Sequence, residues 1–255
     1  MSINTMFDAS NLFRIEAVLL AHPIAQSYFQ GNLYDGSGQR LTMLSIARGQ
    51  DTTMQLDAVS TGRLFMIPDG SIVTVARVNE HADTPAGVDI RSNNIFLADD
   101  EQNSVVVYRS ADGPAMWIDA LYIRNVMLAP HAPRRLISVG FGLMAIAAYR
   151  LGFKQISLFA AGCGPLPTDY ADTMVGYMVW PKFGFDAQVV PVELDRFPNR
   201  ALLRAATIQD VRSAAPGWWE EHGSGRTMYF DLTAGSRSWS LLLNYLHTAL
   251  LEDAT

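Results

Sequence analysis

The chain has 255 residues, 49% of them apolar and 17% charged, enough to bury a sizeable core and unlike the composition of a disordered protein. Its formal charge of −6 argues against sequence-blind nucleic-acid binding, which needs a dense cationic surface, and the single cysteine, Cys163, excludes an internal disulfide and a cysteine metal cage. No apolar run reaches the roughly 18 residues of a spanning helix, and the first residues lack a secretory pattern, so the expectation is a soluble cytoplasmic protein with no membrane partner.

In chain order, residues 10–20 predict a helix capped by Ser10, with Phe13, Ala17 and Leu20 on one face, stopped by Pro23. A short helix over 25–29 ends at Gly31. Residues 31–88 read as short strands and turns: strands over 41–46, 63–67 and 72–78, the last two forming a hairpin across the 68–71 turn with Gly70 at positive φ. A polar loop covers 80–87. Strands over 94–98 and 104–108 flank an acidic turn, and a turn at 112–114 leads into a strand over 117–123.

Residues 134–153 carry apolar side chains at Ile137, Phe141, Met144, Ala145, Ala148 and Leu151, the period of one buried helix face, closed by Gly152. Residues 155–160 alternate as a strand. Strand, helix and strand predict a parallel β-α-β unit with a right-handed crossover. Beyond it come a short helix and turn over 176–186, a strand over 188–193 made an edge or kinked by Pro191, a helix over 199–214, a break over 216–223 and a strand over 227–232. A last helix is capped by Ser238, with Leu242, Leu243, Leu246, Ala249 and Leu250 as its stripe. There is no internal repeat.

The ordered set over 116–187, with Ala148, Leu151 and Gly152 ending the crossover helix and Trp180, Gly184 and Phe185 in an aromatic and Gly-Phe turn, resembles the core of the GNAT superfamily of N-acetyltransferases. The resemblance implies an α/β (α+β) fold: a mixed sheet, antiparallel N-terminal strands followed by the parallel β-α-β unit, with helices on both faces. It places a GNAT-like domain at 1–195, with N-terminal helices over 1–35 and the core at 116–187, and a C-terminal extension over 196–255 packed on the same domain.

It further implies an acyl-CoA-dependent N-acyltransferase that uses acetyl-CoA or another acyl-CoA, no metal, and an amine-bearing small molecule, peptide or protein as acceptor. A homodimer is the assembly considered. The pantetheine arm would pair with the backbone of Leu121, Tyr122 and Ile123, and the diphosphate would sit at the N-terminus of the crossover helix. The family's loop glycines would fall near Arg135 and Ile137. Gly140 and Gly142 serve that purpose only if the helix starts late; otherwise the phosphate site is degraded and Arg134 and Arg135, with Ser138, compensate in part.

Asp119, an acid between apolar neighbours, is the candidate base, or else it pairs with an arginine such as Arg124; Glu101 and Asp100 are weaker alternatives. The position of the family's tyrosine acid holds Trp180, leaving Tyr177 as substitute if the helix is shifted, or as a packed aromatic. The five histidines lack metal-ligand spacing, and His131 is the one near the presumed phosphate loop. Two other readings stay open: a catalytically lapsed GNAT-like binding module, and a bacterial effector, toxin or related protein that modifies a macromolecule.

Overall fold

The computed structural model describes residues 9–48, 52–81, 85–98, 101–109, 118–165 and 174–252. The chain divides into two compact units, Met1–Ile156 with Leu232–Gly235, and Ser157–Asp231 with Ser236–Thr255. The 112–114 turn lies outside the described residues, as do Asp100 and Trp117.

The first unit opens with α1 (Ala9–Ala21) and α2 (Pro23–Tyr28), and Pro23 occupies the first turn of α2, where its missing N–H is not needed. Then come β1 (Tyr34–Asp35), β2 (Met43–Ala47), β3 (Thr53–Asp57), α3 (Ala58–Leu64), β4 (Ile72–Val78), β5 (Gly87–Asn93), β6 (Asn103–Arg109), β7 (Ile118–Asn125) and α4 (Leu136–Arg150). The strand order is β1-β4-β5-β6-β7, with β1 parallel to β4 and every later pair antiparallel, while β2 and β3 form a separate antiparallel pair. The architecture is therefore mixed α+β.

Period-two alternation gives this sheet two unlike faces. Val73, Ile90, Val105, Val107, Leu121 and Ile123 are buried on one, and the register puts Thr74, Arg91, Tyr108 and Tyr122 on the other. Tyr108 and Tyr122 lie with ring centroids 6.1 Å apart.

Two expected strands of this unit are corrected. Residues 63–67 end a helix: Asp57 accepts the Ser60 N–H at 2.7 Å and turns β3 straight into α3, and the Ile67 N–H returns to the Gly62 carbonyl at 2.8 Å. Leu64, Phe65, Met66 and Ile67 are all buried, so the run shows no period from which strand and helix could be told apart. Residues 94–98 form a turn, in which the Asn94 side chain accepts the Phe96 N–H at 2.9 Å and only Leu97 makes an isolated bridge, to Leu128. The strand of that region is β5.

The second unit contains most of β8 (Gln155–Cys163), then α5 (Gly176–Val179), a 3₁₀ turn (Trp180–Phe183), α6 (Pro191–Arg196), a second 3₁₀ turn (Arg200–Leu202), α7 (Ile208–Ala214), α8 (Trp218–His222), β9 (Ser224–Asp231) and α9 (Arg237–Glu252). β8 and β9 are hydrogen-bonded neighbours. Leu242, Leu243, Leu246 and Ala249 are buried along α9, as the stripe predicts.

Pro191 begins a helix here and does not sit in a strand. Its fixed φ suits the first helical turn, and Glu193 accepts the Val190 N–H at 3.1 Å. The helix expected over 199–214 is broken in two, because Thr207 and Asp210 cap each other's backbone N–H and start α7 anew. Gly184 has φ +95°, and a Cβ there would lie 2.3 Å from the Ser238 carbonyl oxygen, so the turn into Phe185 requires glycine.

Asp186 follows that turn and accepts the Ala187 N–H at 2.9 Å and the Gln209 N–H at 3.1 Å. Burial raises its pKa, against the opposing pull of Gln209, Thr207, Ala187 and the Arg237 charge. A carboxyl whose folded pKa is raised lowers stability as pH climbs from its ordinary value through the folded one. Asp186→Asn keeps an acceptor oxygen and removes the charge. The variant should gain in urea midpoint at pH 7 and gain nothing near pH 3, and an equal change at both pH values would show that charge is not the reason.

Candidate functional site

A polar cluster of the first unit grows from β5. Gly87 starts that strand where a Cβ would come within 2.4 Å of the Val107 carbonyl oxygen, so β5 and β6 approach closely there. Two and four residues on, Asp89 and Arg91 share a face. β6 places Ser104 opposite Arg91. On β7 the register shifts: Ser104 pairs with Asn125 and Val105 with Ile123, leaving Arg124 as the extra residue of a bulge, a device that re-aims a side chain.

These residues converge on one carboxylate. Asp89 is fully buried; its Oδ1 accepts the Ser104 hydroxyl at 2.7 Å, and its Oδ2 accepts Arg91 Nε at 2.8 Å and Arg124 Nη1 at 2.9 Å. The arginine side chains remain 42% and 41% exposed, so each guanidinium is held at one end and open at the other.

Both arginines line an open cleft of about 1270 Å³. Its wall includes Asp69, Asn94, Glu101, Asn125 and His131. Asp69 is engaged by the backbone N–H groups of Gln30, Gly31 and Asn32, Glu101 accepts from the Asn125 amide, and His131 Nε2 lies 2.7 Å from the Ile95 carbonyl oxygen. The Asn94 amide nitrogen is buried with no hydrogen-bond partner. Two planar cationic forks anchored by one buried carboxylate are chemically suited to an oxyanion.

The residues expected from the sequence are spread over both units. Asp119 is 5% exposed and belongs to β7, where its carboxylate meets Lys154 Nζ at 2.8 Å and its carbonyl accepts the Lys154 N–H at 2.9 Å. Its arginine partner is not Arg124, which the bulge turns to Asp89. Buried Arg48 feels the Asp119 charge: burial pulls the guanidinium pKa down and Asp119 opposes this. Leu121 and Ile123 are buried and Tyr122 half-buried.

Arg134 is exposed, Arg135 stands at the N-cap of α4 with φ 71°, and Ser138 is buried in the first turn. Because α4 starts at Leu136, Gly140 and Gly142 lie within the helix and not in the preceding loop. A Cβ at Gly140 would touch the Phe29 ring at 3.0 Å, which gives that glycine a packing reason. Tyr177, in the second unit, is buried, and its hydroxyl donates to the Glu220 carbonyl at 2.6 Å. Burial raises its pKa, with the nearby Cys163 and Glu220 charges adding to the effect.

Asp89, Arg91 and Ser104 had no place among the sequence candidates. The Asp-x-Arg spacing in a segment of alternating polarity is the signal that points to a shared strand face; the partnership with Arg124 has no local signature. Among the described residues there is no group of histidine, cysteine and acidic side chains fit to hold a metal, and no described helix is long and apolar enough to cross a membrane. Comparison with known proteins gave no match to a family model, to a curated protein or to a solved structure.

Proposed function

We propose that the chain is an acyl-CoA-dependent N-acyltransferase in which the nucleotide thioester approaches α4 and β7. The observation that carries this reading is the junction itself. Arg134 and Arg135 immediately precede a 15-residue helix, Arg135 as its N-cap with a left-handed backbone, so two cationic residues adjoin the helix's positive end in sequence. In this reading they hold the diphosphate, the Leu121 to Ile123 backbone aligns the pantetheine arm, and the acceptor amine attacks the thioester directly, with Asp119 taking its proton and solvent protonating the departing thiolate.

A second reading, a binding module that has lost catalysis, draws support from three observations: Asp119 is engaged by Lys154, the Tyr177 hydroxyl is spent on Glu220, and Trp180 has no proton suited to the leaving thiolate.

Thermal unfolding with acetyl-CoA and longer acyl-CoAs, followed by turnover with mixed amine acceptors, separates the two. A saturable rise in melting temperature, weakened in Arg135→Ala, is expected, since a ligand that binds only the folded form stabilises it. Turnover that falls at least about tenfold in Asp119→Asn with binding kept supports the enzyme. A rise without turnover supports the binding module, and no rise at millimolar acyl-CoA sinks the transferase reading.

A further inference from the structure

We infer that the cleft beside β5 and β7 binds a small organic oxyanion, a carboxylate or phosphate carried on Arg91 and Arg124 together. The inference stands whether or not the chain transfers an acyl group, because it uses neither α4 nor Asp119.

Three observations carry it. The first is orientation. A lone surface arginine is a flexible chain that loses conformational freedom when it grips a ligand, whereas Arg91 and Arg124 are each already fixed through one nitrogen by the same Asp89 oxygen. The ordering has been done by the fold. The second is charge. One buried carboxylate between two guanidinium groups leaves a local excess of one positive charge, and each fork keeps N–H donors directed away from Asp89. The acids on the wall, Asp69 and Glu101, accept from neutral donors and keep their own negative charge, and among the described residues neither forms an ion pair with Arg91 or Arg124. Their presence instead favours a ligand that is anionic at one end and carries a hydroxyl or ammonium at the other.

The third is room. A volume of about 1270 Å³ admits a molecule much larger than a single ion, and Ile72, Ile95 and Leu97 offer apolar surface for its carbon frame.

The test uses the whole 255-residue chain. Arginines are labelled with phenylglyoxal and mapped by peptide mass spectrometry in the presence of inorganic phosphate, succinate, or neutral succinamide. Phosphate or succinate should slow the labelling of Arg91 and Arg124 together, saturably, with exposed Arg77 unaffected, and added salt should weaken the protection. Protection by phosphate alone, or by succinate alone, decides between the phosphate and carboxylate forms of the site. Arg124→Lys keeps the charge but loses the fork, and should weaken the better anion about tenfold or more in calorimetry. Arg77→Gln should leave its affinity unchanged. Equal protection by succinamide, protection spread over all arginines, or none at tens of millimolar anion would overturn the inference, and these readings on the unmutated chain hold even where a variant misfolds.

Discussion

Asp89→Ala should lower the unfolding free energy of the protein by about 1–3 kcal/mol, the range for leaving a buried polar group without its partner. Its two arginines can turn to solvent. What cannot be recovered is the convergence of three strands on one point: β5 supplies the carboxylate, β6 the Ser104 hydroxyl and β7 the bulged Arg124. The deletion leaves a cavity, a buried hydroxyl without its acceptor and two cations with no anchor.

Asp89→Asn keeps the shape and one acceptor, and should cost less than the alanine variant while still releasing one arginine. Lys154→Met is the reference. Lys154 is 76% exposed at its ion pair with Asp119, so its loss should fall within about 1 kcal/mol. Urea unfolding followed by circular dichroism measures all three. If Asp89→Ala and Lys154→Met cost the same, Asp89 is not the point on which the strands are fastened.

The difference between these two acids also explains what the sequence could and could not disclose. Asp119 attracted notice because it stands between Ile118 and Ala120, and an acid in an apolar run is conspicuous. Asp89 sits in Gly87-Val-Asp-Ile-Arg-Ser-Asn93, where polar residues outnumber apolar ones and the stretch resembles a loop. Its strand is secured by pairing on both sides, with β4 and β6, and locally only the short alternation Val88-Asp-Ile-Arg91 hints at it. Arg124 is further from view still, since its aim depends on a bulge that exists only once β6 and β7 are in register.

Where one face of an element is buried and the other is not, its residues announce it, as Leu242, Leu246 and Ala249 do for α9, whereas α4 is buried on every side from Ser138 to Ile146 and is told as a helix by its length. Where every side chain is buried, as from Leu64 to Ile67, the period vanishes and with it the means of telling helix from strand. Pro191 shows a third cause. Proline disqualifies a central strand and qualifies a first helical turn, so the same residue fits either an edge strand or a new helix until its neighbours are seen.

The second large effect is expected at Trp219→Ala, about 3–5 kcal/mol, the range for truncating a buried aromatic. The indole is 1% exposed, donates from Nε1 to the Tyr177 carbonyl at 2.9 Å, and has the Arg226 guanidinium 5.0 Å from its ring centroid. Arg226 is in turn paired with Glu193, whose pKa burial would raise but the hydrogen bond and charge of Arg226 bring below the usual glutamate value. Gly223 belongs to the same construction: a Cβ there would meet the indole at 2.6 Å.

Trp219→Phe keeps much of the apolar burial and loses the donor, so it should cost less than the alanine variant by denaturant unfolding. The ring therefore holds Tyr177 from its backbone side while Glu220 holds it from the hydroxyl side. This gives Tyr177 a structural role that can be separated from catalysis. Tyr177→Phe removes one hydrogen bond, about 0.5–1.5 kcal/mol, and leaves the Trp219 contact to the backbone intact. If Tyr177 protonates a thiolate, the same variant must reduce turnover far more than its stability loss explains, and with acyl-CoA binding unchanged. If turnover tracks the folded fraction, the tyrosine is a packing residue and the proton comes from water.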